Sequence, residues 1–141
     1  MAADHLKKLH TALVDTRGAY ELAAKKTEDA QVASVCKEMI AIRRTDHEQL
    51  HGALVTAGET PDDDGSFMTT VHETVVAVRA AFTGIGKKAL PAFVSGEEDI
   101  LKLYDEAIAE SADVGASDIL GRQRARLTTE IAKMRALAVQ S

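Results

Sequence analysis

Residues 29–57 read DAQVASVCKEMIAIRRTDHEQLHGALVTA, and no proline interrupts them. Their apolar residues recur every three or four positions, which is the spacing of one face of an α-helix. Gly58 and then Pro61 follow, in the usual order of signals that end a helix. The segment therefore predicts a long amphipathic helix. At about 100° per residue, its inward face collects Val32, Cys36, Met39, Arg43, Asp46, His47, Leu50 and Leu54.

The same periodicity predicts four more helices, at about residues 4–27, 66–83, 87–112 and 118–139. Two prolines, 4% aromatic residues and no tryptophan also favour helix over sheet. The helix at about 66–83 would span about 27 Å, enough to carry the chain back along a bundle. The second and fourth predicted helices would then run parallel. We predict a single all-α domain over residues 1–141, a ferritin-like antiparallel four-helix bundle with one additional crossover helix.

Composition excludes several classes of protein. The chain has 141 residues, with 17 Lys and Arg against 22 Asp and Glu. This acidic balance argues against a binder of nucleic acid or of anionic membranes. The first residues lack the apolar run of a secretory signal, so we expect a cytoplasmic protein. The single cysteine, Cys36, excludes an internal disulfide and is predicted to be a core residue rather than a nucleophile.

Charged and polar side chains occupy several positions that are predicted to face the interior. Such groups are costly to bury unless they are paired or form a site. They are His10, Arg17 and Glu21 on the first helix, Arg43, Asp46 and His47 on the second, His72 and Arg79 on the third, Glu97 on the fourth, and Gln123 and Arg124 on the fifth.

The first interpretation of these residues is a buried polar network that selects which helices pair. In antiparallel first and second helices, positions whose numbers add up to about 57 lie side by side, so His10 faces His47 and Asp46. Parallel second and fourth helices put Glu97 level with Arg17 and one turn from Arg43. We therefore expect an ion-pair network and a separate hydrogen-bonded cluster. The ion-pair network comprises Arg17, Arg43 and Glu97, and the cluster comprises His10, Asp46 and His47.

The alternative interpretation is a site for iron, manganese or zinc. Its ligands would be Glu21, Asp46, His47 and Glu97, with His10 or His72 in addition. Di-iron bundles use about four carboxylates and two histidines, whereas here inward arginines match or outnumber the carboxylates. A Glu-x-x-His pair, Glu48 and His51, has the spacing of a metal site, but Glu48 points about 160° away from the inward face.

Several short stretches resemble an uncharacterised bacterial family, domain-of-unknown-function family 2383, whose members are described as ferritin-like four-helix-bundle proteins. The stretches are GAYELAA at residues 18–24, RTDHEQL at 44–50, SFMTTVHE at 66–73, RAAFTG at 79–84, GEE at 96–98 with Tyr104 and EAI at 106–108, and Leu120 with Gln123. The resemblance covers about residues 4–138. It implies a ferritin-like fold, and the family brings no established activity.

Three positions depart from the family pattern. Val75 stands where the family often has tryptophan, Val94 where an acidic residue is expected, and Ile131 where a histidine is expected. Each departure removes a metal ligand or a stacking group. We therefore expect a non-enzymatic interaction or stress-associated module without a cofactor, assembled as a dimer. The competing expectation is a degenerate ferritin-like protein that oxidises or stores metal.

Overall fold

The computed structural model describes residues 4–56, 58, 90–110 and 114–139, and this part of the chain contains four helices and no strand. They are α1 (Asp4–Lys26), α2 (Ala30–Thr56), α3 (Leu90–Glu110) and α4 (Val114–Val139). The predicted all-α four-helix class is confirmed. The predicted helix at about 66–83 lies outside the described residues.

Local signals in the sequence account for the ends of these helices. Asp29 caps α2, because its Oδ1 accepts hydrogen bonds from the backbone N–H groups of Gln31 and Val32 at 2.8 and 3.1 Å. Gly58 follows α2 with a φ of 82°, a conformation that glycine adopts without strain. Pro91 is the second residue of α3, where a missing N–H costs least.

The start of α4 differs from the sequence-based prediction. The helix begins at Val114 rather than at about residue 118. The prediction treated the segment around Gly115 as a turn. One glycine in a helix costs only about 1 kcal/mol relative to alanine, which the remaining turns of a long helix offset.

Contacts between α1 and α3 show that these helices are antiparallel. Near the start of α1, Nδ1 of His5 lies 2.8 Å from Oε2 of Glu110, in the last turn of α3. Near the end of α1, the Tyr20 hydroxyl lies 2.6 Å from Oε2 of Glu97, in the early part of α3. Since α1 is also antiparallel to α2, to which a short connection joins it, α2 and α3 run in the same direction. The predicted parallel arrangement is confirmed.

Helix α4 is antiparallel to α2. Lys133 Nζ lies 3.2 Å from Glu38 Oε1, and Gln123 Nε2 donates to Gln49 Oε1 at 2.8 Å. The neighbouring pairs in the bundle are α1–α2, α1–α3, α3–α4 and α2–α4, so α2 and α3 occupy opposite corners. Bundles with one long crossover connection have this order of helix directions.

The core lies between the four helices and is mainly aliphatic, with an aromatic pair where the later part of α1 meets the early part of α3. The rings of Tyr20 and Phe93, each 1% exposed, have centroids 5.3 Å apart. Cys36 packs in the same core and is fully buried, as predicted. None of the described helices has an apolar stretch of the length that crossing a membrane requires.

Candidate functional site

A buried triad of Arg43, Glu97 and Tyr20 crosses the bundle from corner to corner. The Arg43 guanidinium donates to Oε1 of Glu97, and the Tyr20 hydroxyl donates to Oε2 at 2.6 Å. The three side chains are at most 1% exposed. Burial raises the pKa of Tyr20 and the positive charge of Arg43 opposes that rise, so the phenol stays a neutral donor. The carboxylate thus has a donor on each oxygen and a counter-charge.

A second polar group lies further along α2. The carboxylate of Asp46 accepts a hydrogen bond from the guanidinium of Arg126 on α4, and the two groups form an ion pair. Burial raises the pKa of Asp46, and the guanidinium of Arg126 opposes that rise. Next to it, the Tyr104 hydroxyl donates to Oε1 of Gln123 at 2.8 Å. Gln123 Nε2 in turn donates to Gln49 Oε1 at 2.8 Å. This group joins α2, α3 and α4 by pairing polar atoms with one another.

Arg17 and Glu21 require a correction to the predicted network. Arg17 does not contact Glu97; its side chain is 25% exposed, and its Nε lies 4.0 Å from Oε1 of Glu21. Glu21 is 45% exposed and lies 3.9 Å from Arg44. The physical reason is angular, since Arg17 lies about 60° around α1 from Tyr20. Tyr20, rather than Arg17, reaches the Glu97 carboxylate.

Three histidines meet where α1 packs against α2. The ring of His10, which is fully buried, has its centroid 4.6 Å from that of His47 and 5.9 Å from that of His51. His47 and His51 are one turn apart on α2, half-buried, with centroids 6.2 Å apart. Nitrogen atoms of the three rings, one from each, all lie within 4.8 Å of one another. The antiparallel register that puts His10 opposite His47 is thus present. Asp46, the third member of the predicted cluster, pairs with Arg126 of α4 instead.

The four predicted metal ligands do not come together. Glu97 is engaged by Arg43 and Tyr20 in the core, and Asp46 by Arg126. Glu21 lies at the surface, and His47 belongs to the histidine group. Arg43 and Arg126 supply the positive charge beside Glu97 and Asp46 that a metal dication would otherwise supply. His72 lies outside the described residues.

Sequence reasoning missed two members of these groups. Arg126 was not predicted to pair with Asp46. Its side chain is 43% exposed and lies about 60° around α4 from the inward Gln123, so it reaches the buried carboxylate from the surface. His51 was considered only together with Glu48, which is exposed. The useful signal was the pair of histidines four residues apart, His47 and His51, which places both rings on one face of α2.

The thiol of Cys36 is predicted to be unreactive in the folded protein. Burial raises its pKa from 9.0 to about 11, so at about pH 8 the thiolate fraction falls about a hundredfold. A disulfide reagent added to native protein should therefore react only as fast as the chain unfolds, and should react at once in denaturant. Complete reaction of the native protein within seconds would contradict the burial of Cys36.

The described helices and their charge-paired interior define an all-α four-helix bundle. A family model described as Domain of unknown function (DUF2383) matches residues 1–110, and the chain belongs to this family. The matched region includes α1, α2 and α3 and ends where α3 ends. The resemblance noted in the sequence extends to about residue 138, whereas the match stops at residue 110. No curated protein and no solved structure matches the chain.

Proposed function

We propose that the chain is a non-enzymatic, ferritin-like helical bundle of the cytoplasm that acts as an interaction or stress-associated module and assembles as a dimer. The observation that carries this proposal is that the buried carboxylate of Glu97 is fully engaged by neighbouring side chains. Its two carboxylate oxygens accept hydrogen bonds from Arg43 and Tyr20 inside the core. A carboxylate held in this way supports the packing of the helices and is a poor ligand for a second cation.

The alternative is a reduced ferritin-like protein that oxidises or stores iron or manganese. Dimetal bundles of this kind take a Glu from each of two helices and a Glu-x-x-His pair from each of the other two. In this chain Glu48 of the Glu-x-x-His pair is exposed, and the buried Glu97 and Asp46 each contact an arginine. An arginine repels a metal dication and competes for its ligands, so the alternative is disfavoured.

The acidic charge of the chain, −5 at neutral pH, supports a protein partner rather than nucleic acid or a membrane surface. Assembly as a dimer is proposed by analogy, because two-fold dimers are the commonest closed assemblies of soluble proteins. Size-exclusion chromatography with light scattering should give twice the mass of the chain. A strict monomer at high concentration would contradict the dimer.

A ferroxidase assay tests the non-enzymatic part of the proposal. Aerobic oxidation of Fe²⁺ should proceed at the same rate in buffer, with the wild-type protein and with a Glu97→Gln variant. Circular dichroism establishes that the variant is folded. Faster oxidation with the wild type that is lost in Glu97→Gln would contradict the proposal and favour the dimetal alternative.

A further inference from the structure

We propose that His10, His47 and His51 form a binding site for one late first-row divalent metal ion, of which Zn²⁺ is the representative. The juxtaposition that carries the proposal is one imidazole nitrogen from each residue, all within 4.8 Å of one another. The site is separate from the carboxylates that a dimetal centre would use. It therefore goes beyond the proposed non-enzymatic role and does not depend on it.

The backbone positions of the three histidines suit a metal site. His47 and His51 lie four residues apart, so one face of α2 presents both rings, and His10 approaches from α1. Tetrahedral zinc with bonds of about 2.0–2.1 Å brings its nitrogen ligands to about 3.3 Å from one another. Rotation about the terminal side-chain torsions, which are soft in histidine, can close the remaining gap. Helices hold such ligands more accurately than loops do.

Two of the three histidines are partly exposed, so the site reaches solvent on one side. His10 is fully buried, whereas His47 and His51 are half-buried at the edge of the α1–α2 interface. An ion can enter from this edge, and a water molecule can complete the coordination. Tetrahedral zinc with three protein ligands takes a water molecule in its fourth position.

The two arginines that pair with buried carboxylates near this place, Arg43 and Arg126, have their charges balanced. Arg43 lies one turn before His47 on α2, and its guanidinium is engaged by Glu97. Asp46, which precedes His47, is a carboxylate that Arg126 balances. The two arginines that make the central carboxylates unsuitable for metal are thus each paired with a carboxylate.

The donor set determines which metals should bind. The donors found among the described residues are three imidazoles, which favour Ni²⁺, Cu²⁺ and Zn²⁺, whereas Mg²⁺, Ca²⁺ and Mn²⁺ prefer oxygen ligands. A purely structural role explains the group less well. Aliphatic side chains would fill the same space at lower cost, because polar ring nitrogens lose their hydration when they are placed in an interface between helices.

Zinc binding to protein purified without a histidine tag tests the proposal. Isothermal titration should give one Zn²⁺ per chain. The affinity should fall at least about tenfold in His47→Gln and in His51→Gln, because each loses a ligand. The matched control is His5→Gln, since His5 lies on α1 but contacts Glu110 instead. This variant should bind Zn²⁺ like the wild type, and both proteins should bind Mn²⁺ more weakly than Zn²⁺.

An NMR titration of the wild type tests the same proposal without any variant, and so does not depend on whether the variants fold. In an NMR titration with Zn²⁺, the ring resonances of His10, His47 and His51 should shift together, while those of His5 stay in place. Zinc should also raise the melting temperature of the wild type, because only the folded chain brings the ligands together. The proposal is overturned by any of three results: no binding at micromolar zinc, equal binding in His51→Gln, or shifts confined to other histidines.

Discussion

Replacing Arg43 by methionine is expected to lower the free energy of unfolding by about 3–5 kcal/mol. The Arg43 side chain is 1% exposed and that of Glu97 is 0% exposed, so the carboxylate that loses its counter-charge stays in the interior. Among the described side chains, only Tyr20 then still donates a hydrogen bond to Glu97. Urea denaturation, followed by far-UV circular dichroism, measures the loss.

The same substitution at Arg17 is the matched control. Arg17 is 25% exposed and makes only a long contact with Glu21, so Arg17→Met should change the free energy of unfolding by less than about 1 kcal/mol. Combining Arg43→Met with Glu97→Gln should restore much of the loss, because no unpaired charge then remains. Additive effects of the two substitutions would mean that Arg43 and Glu97 do not interact.

Replacing Phe93 by alanine is also expected to cost about 3–5 kcal/mol. The ring of Phe93 is 1% exposed and packs 5.3 Å from that of Tyr20, between centroids. Its removal leaves a cavity and withdraws the support that orients the Tyr20 hydroxyl towards Glu97. Thermal and urea unfolding of the variant give the size of the effect.

Two further variants serve as controls for the loss of stability in Phe93→Ala. Phe93→Leu should cost much less, because most of the volume is kept. Val55→Ala should change the free energy of unfolding by less than about 0.5 kcal/mol, since Val55 is 54% exposed. If Phe93→Ala were no more destabilising than Val55→Ala, Phe93 would not be part of the buried core.

Much of the described fold could be predicted because its signals are local. The cap at Asp29, the stop at Gly58 and the early proline in α3 need only a few neighbouring residues to act. The parallel direction of α2 and α3 followed from the length of the intervening segment. The start of α4 could not be predicted in the same way. The unfavourable helix propensity of a single glycine, Gly115, is small compared with the free energy gained when the whole helix packs.

The partners of the buried charges were harder to predict. Angular arithmetic assigns a residue to a face, but α1 packs against both α2 and α3, so its buried face is wide. Arg17 and Tyr20 both lie on that face, and only the three-dimensional arrangement shows which one reaches Glu97. In the same way, the antiparallel register of α1 and α2 predicted that His10 lies opposite His47. That His51 belongs to the same group follows only from the distance between its ring and that of His10.

Anomalous diffraction from crystals grown with Fe²⁺ or Mn²⁺ examines Glu97 directly. If Glu97 is a structural partner of Arg43, the guanidinium should contact the carboxylate, and neither metal should give an anomalous peak within bonding distance of the Glu97 oxygens. An iron or manganese peak bound to Glu97, with Arg43 displaced, would contradict the assignment of this carboxylate to a structural ion pair.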